Sequence, residues 1–400
     1  MSKPIQSNKS GQRKIPRVAL VVETSRTYGR GLLEGIAKYA RVNGPWSFFT
    51  IERELHSGVP DWLMTWKGDG IIARIEDRRM TAKLLKLGCP VVDVLGQAQV
   101  EGVPYFDTDA RAVAQRAADF FLRAGFEHFA YIGYARIYFS DRRGAAFTDY
   151  LAGKGKTVAQ MPHSAELHAE THIQAVEQRG MAGERSLIQW LKKRPRPLAV
   201  LACNDVRAQQ VLNACREHGI RVPEEVAVMG VDNDNVLCNL CDPPLTSIEP
   251  DTERIGHEAA ALLARLMAGE TAVPMANSIP PLRLVERTST DVIAMQDPVM
   301  VQAIRFIRNE VGNGIAVKDV LSHVNRSRTA LEQRFQQQLQ TSVYAEILRR
   351  RMERVTTLLR ETNLPVIEVA RKSGFATAAH LCRLFRQHFH TTPTVFRARR

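Results

Sequence analysis

Cysteine is scarce in this 400-residue chain, and its six cysteines are widely scattered. Small secreted domains that depend on disulfides carry a dense, regular set, so this composition disfavours a disulfide scaffold. Cys238 and Cys241 form a Cys-x-x-Cys pair, but no second pair stands at zinc-ligand spacing. We interpret them as buried thiols and expect no metal site and no cofactor.

Long apolar runs are also missing. No window approaches the roughly 20 apolar residues needed to cross a bilayer. The opening MSKPIQSNKSGQRK lacks the apolar stretch of a secretory signal. The sequence therefore predicts a cytoplasmic protein with no membrane partner.

The motifs of common enzyme classes are incomplete. Gly29 and Gly31 follow the first apolar run as in a dinucleotide loop, but Glu34 occupies the place of the third glycine. No Walker lysine and no nucleophile elbow is present. An enzyme is disfavoured.

Positive charge is abundant and unevenly distributed. The formal net charge is +13, and residues 301–400 hold 18 Lys and Arg against 7 Asp and Glu. Five more basic residues lie in the first 17, so the part between is slightly acidic. A basic terminal module on a near-neutral body is typical of a protein that meets nucleic acid. A solvated basic face kept for solubility is the alternative, and the motifs must decide.

Residues 17–290 alternate short β-branched runs with helical stretches. The runs include RVALVVE, GIIARI, PVVDVL, HFAYIG, LAVLACND and EVAVMGVDN. This pattern is typical of buried parallel strands, and two α/β halves in succession predict two lobes whose cleft lies at the carboxyl ends of the strands. Around Pro274–Asp297 the sequence becomes Pro-rich and extended, and beyond it everything predicts helix. We assign 1–16 to a basic tail, 17–290 to the two-lobed domain, 291–298 to a junction and 299–400 to an all-α domain.

The all-α part contains a first helix-turn-helix pattern in VKDVLSHVNRSRTALEQRF. Val320 and Val324 belong to the apolar stripe of one helix, Ser327 can cap the next, and Leu331 and Phe335 face inward. A recognition helix presents its outward residues to base edges in the major groove. The predicted DNA-binding residues of this unit are Arg328, Thr329, Glu332 and Gln333.

A second helix-turn-helix pattern lies in LPVIEVARKSGFATAAHLCRLFRQHF. Ile367 and Ala370 are predicted to face inward, and Gly374 to supply a left-handed turn. Leu381 and Phe385 form the inward face of the following helix. The predicted DNA-binding residues of this unit are Ala378, Ala379, His380, Cys382 and Arg383. The two alanines offer apolar contact alone, so base specificity would rest mainly on His380 and Arg383.

Residues 299–400 resemble the AraC/XylS family of DNA-binding domains. The resemblance rests on the pattern V-A-x-x-x-G-F, L-x-R-L-F-R and T-P-x-x-F-R within Val369–Arg397. It implies two recognition helices that enter successive major grooves. Leu381 replaces the family's Phe, and Gln340 and His390 replace glycines in turns that follow the recognition helices.

Residues 18–290 resemble the LacI/GalR effector domain, which has the type I periplasmic-binding-protein fold. The stretches YFDTDARAVAQ, RRGAAFTDYL, CNDVRAQQVL and VMGVDNDN carry the resemblance. It implies ligand-facing roles for Asp109, Arg143, Asn204 and Asp232. Thr24, Ser25 and Tyr28 stand where the first strand meets the cleft and complete the predicted ligand set.

That set suits a polyol, because carboxylates accept, arginine donates and asparagine does both toward sugar hydroxyls. Alternatives remain for two members. Asp109 could cap the helix that follows it, and Arg143 could form a surface ion pair. Asp205 is expected to cap the helix Val206–His218 and is left out of the set.

The order of the two domains resembles the xylose-operon activators, as do the opening VVETSRTYGRGLLEGIAKYA and the junction RLVERTSTDVIAMQDPVM. This resemblance implies a sugar-responsive transcription regulator with D-xylose as effector. Its implied partners are double-stranded operator DNA, RNA polymerase if it activates, and a second copy in a homodimer. The alternative is a sugar-binding protein of a transport system whose helical tail binds a partner protein.

Overall fold

The structure, a computed structural model, describes residues 15–54, 57–162, 177, 184–271, 276–291, 297–389 and 391–398. The chain divides into two compact units, Met1–Ala294 and Met295–Arg400. Most of the predicted basic tail (1–14), most of the predicted junction (292–296) and His390 lie outside the described residues. Within those residues no helix is long and apolar enough to cross a membrane.

The strands of the first unit build two sheets. They are β1 (Arg17–Val21), β2 (Ser47–Phe49), β3 (Gly70–Ala73), β4 (Val91–Asp93), β5 (Tyr105–Thr108), β6 (His128–Ile132), β7 (Val158–Gln160), β8 (Leu198–Ala202), β9 (Val226–Val231), β10 (Thr246–Glu249), β11 (Ala276–Ile279) and β12 (Arg283–Val285). In the central strands β1, β3, β4, β8 and β9 nearly all residues are buried, as parallel strands covered by helices on both faces require. The edge strands β2, β7 and β12 are partly exposed.

Each sheet has six described strands and forms the centre of one lobe. The first lobe has the order β11-β5-β4-β3-β1-β2, and the second has the order β12-β10-β9-β8-β6-β7. All pairings are parallel except that of β10 with β12. This architecture confirms the predicted two-lobed α/β fold. The carboxyl ends of β1, β3, β5, β8 and β9 carry the side chains of the candidate site.

The helices of the first unit cover the faces of these sheets. They are α1 (Thr27–Asn43), α2 (Asp61–Thr65), α3 (Arg78–Leu85), α4 (Ala110–Arg123), α5 (Tyr138–Ala152), α6 (Glu184–Lys192), α7 (Asp205–Glu217), α8 (Asn235–Leu240) and α9 (Thr252–Met267). Helices α1 and α9 cross closely, because a Cβ on Gly256 would stand 2.0 Å from the carbonyl oxygen of Leu32. Glycine at this crossing lets the two backbones meet.

The Pro-rich stretch after α9 is more ordered than the sequence indicates. Ala276–Ile279 pairs with β5 in the first sheet, and Arg283–Val285 pairs with β10 in the second. The chain therefore crosses between the lobes once more before residue 290. The sequence predicted extended backbone here but no strand partners, since pairing with a distant strand is invisible to local periodicity.

The second unit is all helical in its described residues. Its α-helices are α10 (Pro298–Glu310), α11 (Val317–Val324), α12 (Arg328–Leu339), α13 (Val343–Glu361), α14 (Val366–Lys372), α15 (Ala378–Phe389) and α16 (Pro393–Ala398). Leu331, Phe335, Leu381 and Phe385 are fully buried, as predicted. Ile367 is 65% exposed, so its predicted inward position was wrong; Val369 is buried instead.

The turns of the second unit follow the predicted chemistry. Ser327 accepts a hydrogen bond from the backbone N–H of Ala330 at 3.3 Å and so caps α12. Gly374 adopts a φ of 75°, which confirms its predicted left-handed turn. Gln340 ends α12 at φ 52° and ψ 31°, so a glutamine holds the left-handed position where the resembled family has glycine. The left-handed conformation destabilises the folded state by about 1–2 kcal/mol when a residue other than glycine adopts it.

Candidate effector site and DNA-reading helices

Arg143 lies at the centre of the second lobe's side of the cleft. Its side chain projects from α5 and is 5% exposed. One guanidinium nitrogen donates to the carbonyl oxygen of Cys203, just after β8, at 2.6 Å, and the other lies 3.7 Å from a carboxylate oxygen of Asp232, just after β9. Helix α5 and the residues that follow β8 and β9 thus meet at the buried guanidinium of Arg143. Because Arg143 is buried, the surface ion pair that the sequence left open for it is excluded.

A second arginine joins the two lobes. Arg26, between β1 and α1, donates through both terminal nitrogens to the carboxylate of Glu177, with one bond of 2.9 Å. The side-chain amide of Asn204 donates to the same carboxylate at 2.8 Å. Glu177 is 5% exposed, so its charge is stabilised chiefly by these donors.

Two more contacts cross the cleft. Arg142 of α5 lies 3.2 Å from the carboxylate of Asp107 on β5. The hydroxyl of Thr27 in α1 donates to the carboxylate of Asp234 beside α8 at 3.0 Å. Burial raises the pKa of Asp107 to about 6, and the positive charge of Arg143 opposes that rise. The lobes therefore meet through polar, mostly charged groups.

The first lobe presents an aromatic and ionic wall. The hydroxyl of Tyr28 lies 3.1 Å from that of Thr108, and the guanidinium carbon of Arg74 is 5.6 Å from the centre of the Tyr28 ring. Arg74 also pairs with Glu23, whose Oε2 is buried without a hydrogen-bond partner among the described residues. Burial raises the pKa of the Tyr28 hydroxyl, so it remains a neutral donor.

Asp205 occupies the floor of the cleft in the second lobe. It is buried and accepts hydrogen bonds from the hydroxyl of Ser247 at 2.6 Å and from the backbone N–H of Asp234 at 2.8 Å. Burial raises its pKa, and the neighbouring charge of Asp232 raises it further. Both effects shift Asp205 toward the protonated carboxyl relative to an exposed aspartate, and its hydrogen bonds from Ser247 and the backbone of Asp234 oppose that shift.

The prediction that Asp205 caps the following helix was wrong. The cap is Asn204, whose side-chain oxygen accepts from the backbone N–H of Arg207 at 2.9 Å, and the helix begins at Asp205 itself. Adjacent Asn and Asp are equally good caps, and sequence cannot choose between neighbouring positions. Asn204 consequently serves two roles, since its amide nitrogen still faces Glu177.

The predicted ligand residues fall into two groups. Tyr28, Arg143, Asn204 and Asp232 all belong to the cleft network described above. Thr24 instead exchanges hydrogen bonds with the backbone of Arg53, Ser25 is exposed, and Asp109 caps α4 by accepting from the N–H groups of residues 111 and 112. For Asp109 the structure records the capping alternative.

Sequence reasoning missed several residues of the network. They are Glu23, Arg26, Arg74, Asp107, Arg142 and Glu177. Arg74 directly follows β3, and Glu23 is the second residue after β1, so the strand-end rule could have found both. Glu177 offered no comparable signal, because its contact with Arg26 spans 151 positions of sequence.

In the first reading helix, α12, the predicted residues differ in exposure. Arg328, Thr329 and Gln333 are exposed. Glu332 is half-buried, and its carboxylate accepts from the backbone N–H of Val343 at 3.1 Å. Glu332 therefore helps to begin α13, which competes with a contact to a base.

In the second reading helix, α15, Ala379 and Arg383 are exposed. Ala378 is half-buried against the domain core, and Cys382 is half-buried as well. His380 is half-buried too, with its ring edge-on to Phe375 at 5.8 Å between centroids. Among the five predicted residues of this helix, Arg383 is thus the one that is both exposed and polar.

Comparison with known proteins covers almost the whole chain. Residues 17–111 match the XylR N-terminal domain, residues 118–290 a periplasmic binding protein-like domain, and residues 320–399 a helix-turn-helix domain. The xylose operon regulatory protein of Escherichia coli K12 is 29% identical over 386 residues, which are 95% of this chain and 96% of that protein. That of Haemophilus influenzae is 29% identical over 389 residues, or 95% and 98% of the two chains.

Solved structures agree with these matches. The structure of the xylose-binding transcription activator xylR aligns with a TM-score of 0.70 at 29% identity, covering 96% of this chain and 98% of that one. The complex of the transcriptional regulator CelR with cellobiose aligns with a TM-score of 0.54 at 24% identity over 68% of this chain and 84% of that one. The second likeness supports the fold of the sensor alone.

Proposed function

We propose that this chain, which belongs to the family of the xylose operon regulatory proteins, uses D-xylose or a closely related pentose as its effector. The chain is a sugar-sensing transcription regulator with a helix-turn-helix DNA-binding domain, and its relatives are regulators rather than enzymes. The transport-protein alternative is not favoured, because the basic C-terminal helices match a DNA-binding domain.

The observation that carries the choice of a neutral sugar is the pairing of charges in the cleft. Each arginine there has a carboxylate partner: Arg26 with Glu177, Arg74 with Glu23, Arg142 with Asp107 and Arg143 with Asp232. Such a site offers many donors and acceptors with little net charge. A pentose presents several hydroxyls that each donate and accept, and so matches it.

Four of the predicted residues are the proposed sugar contacts. Arg143 and Asn204 donate, Asp232 accepts, and Tyr28 supplies an aromatic face with a neutral hydroxyl. Asp109 and Thr24 are assigned to the helix cap and the loop contact they make, and Ser25 to the exposed rim of the first lobe.

The response requires the sugar to favour one arrangement of the lobes. A ligand shifts a conformational equilibrium only through its different affinity for the two states. A sugar held by Tyr28 of the first lobe and Arg143 of the second gains most when both lobes contact it together. We propose that this closed arrangement activates transcription, that the working unit is a cytoplasmic homodimer, and that RNA polymerase is the partner of the DNA-bound form.

The test is calorimetric titration of the full chain with D-xylose, D-ribose, L-arabinose and D-glucose, with and without an operator duplex selected from random sequences. We expect D-xylose to bind most tightly. Linkage requires operator DNA to tighten sugar binding by the same factor by which sugar tightens DNA binding. Heat signals from glucose alone would contradict the pentose assignment, and an identical sugar affinity with and without DNA would contradict the coupling.

A further inference from the structure

The two reading helices, α12 and α15, each bury a pair of apolar residues spaced four positions apart. Leu331 and Phe335 are the buried pair of α12, and Leu381 and Phe385 are the buried pair of α15. An α-helix advances about 100° per residue, so each buried pair defines an inward direction and an opposite, outward direction. The outward direction identifies the side chains that can enter a major groove.

In α12 the outward stripe differs from the one predicted from sequence. It consists of Thr329, Gln333, Gln336 and Gln337, which are all exposed. None of the three glutamine side chains has a hydrogen bond or ion pair among the described residues. Glu332 lies about a quarter turn away from this stripe, and its carboxylate accepts a hydrogen bond from the backbone N–H of Val343.

In α15 the corresponding stripe has different chemistry. It consists of Ala379, Arg383, Arg386 and Gln387, which are all exposed. Neither Arg383 nor Arg386 has a carboxylate partner in the part of the chain that the structure describes. The second helix therefore presents two unpaired guanidinium groups where the first presents amides.

This difference has a direct consequence for base recognition. A glutamine side chain can bond both N6 and N7 of adenine, whereas arginine bonds O6 and N7 of guanine. From Thr329 to Gln336 the helix rises about 10 Å, which is about three base-pair steps. Residues one and two turns into each helix can thus reach successive base pairs.

We infer that the operator half-site is chemically asymmetric: the first unit reads adenines through Gln333 and Gln336, and the second unit reads guanines through Arg383 and Arg386. The inference rests on the DNA-binding function and names the class of sequence that function selects. Gln336 and Arg386 are specificity-determining residues in addition to those predicted from sequence.

The experiment is selection of random duplexes by the full chain, followed by sequencing of the bound fraction. The wild-type motif should contain an adenine-rich block and a guanine-containing block centred about 10 base pairs apart. Gln336→Ala should relax the preference at one adenine position, and Arg386→Ala at one guanine position. Each should weaken binding to the selected duplex by about 5- to 150-fold.

A gain-of-function variant and a matched control sharpen the test. Gln333→Arg should change the preferred base at one position of the adenine block from adenine to guanine. Gln338→Ala, in the same helix, should leave the motif and the affinity unchanged, because Gln338 lies beside Asp297 of its own domain at 3.4 Å and not on the outward stripe.

Three results would overturn the inference. The first is a motif without separate adenine and guanine blocks. The second is equal weakening by Arg386→Ala on selected and random DNA, which would assign Arg386 to phosphate. The third is a Gln333→Arg motif identical to wild type. Failure of the chain to enrich any sequence would overturn the DNA-binding function as well, so the two failures are distinguishable.

Discussion

Replacing Arg143 by lysine should weaken sugar binding while leaving the fold intact. Lysine keeps the positive charge near Asp232 but removes the planar fork of donors. The two terminal nitrogens have different neighbours, since one donates to the carbonyl oxygen of Cys203 at 2.6 Å while the other lies 3.7 Å from the carboxylate of Asp232. A guanidinium has five N–H donors, so these contacts leave capacity for a sugar hydroxyl. The ammonium group of lysine cannot contact the Cys203 carbonyl oxygen, the Asp232 carboxylate and a sugar hydroxyl at the same time.

The magnitude follows from burial. Arg143 is 5% exposed, and a buried hydrogen bond to a charged group contributes about 1.5–3 kcal/mol. The side chain of Asp232 is 26% exposed, so water can partly replace the lost donor. We therefore expect the lower half of that range, which corresponds to an increase in Kd of about 10- to 50-fold.

The assay is calorimetric titration with D-xylose, with urea unfolding and operator binding as checks of the fold. Arg216→Lys is the matched control in the same lobe. Its ion pair with Asp242 is long, at 3.9 Å, and the two side chains are 54% and 75% exposed. Exposed pairs contribute little, so this variant should bind sugar within about twofold of wild type.

A Kd for Arg143→Lys equal to that of wild type, in a protein that still unfolds cooperatively and binds DNA, would refute the assignment of Arg143 to the sugar. An equal loss in Arg143→Lys and Arg216→Lys would point instead to a general effect of losing arginines from the lobe. Neither result is compatible with the geometry described above.

Three further predictions concern stability and DNA binding. Gln340→Gly should raise the free energy of unfolding by about 0.5–1 kcal/mol, because glycine adopts the left-handed conformation without strain. Gln338→Gly, within the same helix, should lower it by about 1 kcal/mol. Urea unfolding curves in which both variants change stability in the same direction would contradict this. Gly256→Ala should lower the melting temperature by several degrees in differential scanning fluorimetry, because the added methyl group would clash with the backbone of Leu32. Arg254→Ala, at an exposed position of the same helix, should leave the melting temperature unchanged. Operator affinity of the full chain should fall about 10³-fold between 50 and 200 mM salt if about six phosphates are contacted. A fluorescence-anisotropy titration that finds no salt dependence would remove the electrostatic argument from the basic domain.

Local sequence determined the helical turns of the DNA-binding domain. Ser327 and Gly374 act within three residues of their own position, so their roles as cap and left-handed turn could be predicted from residue type alone. The buried pairs Leu331–Phe335 and Leu381–Phe385 are also local, because a four-residue spacing places both members on one side of any helix. The alternation of strands and helices predicted the two lobes for the same reason.

The candidate site was predictable in part. Arg143, Asn204 and Asp232 were found by resemblance to a family whose ligand site lies at the ends of parallel strands. Glu23 and Arg74 could have been found by the same rule applied to β1 and β3. The sequence thus located the edge of the sheets where the site lies, but not the full set of side chains that share it.

Tertiary structure decided the rest, because the deciding contacts join residues that are far apart in sequence or compete for one partner. Glu177 becomes part of the cleft through Arg26, 151 positions away. The carboxylate of Glu332 bonds to the backbone N–H of Val343, so it is not available at the DNA-reading surface. Asn204, and not Asp205, accepts the hydrogen bond that caps α7. Residue type states what a side chain can bond. Which of its possible partners lies within 3 Å depends on how distant segments pack, and that is fixed by the burial of the whole core.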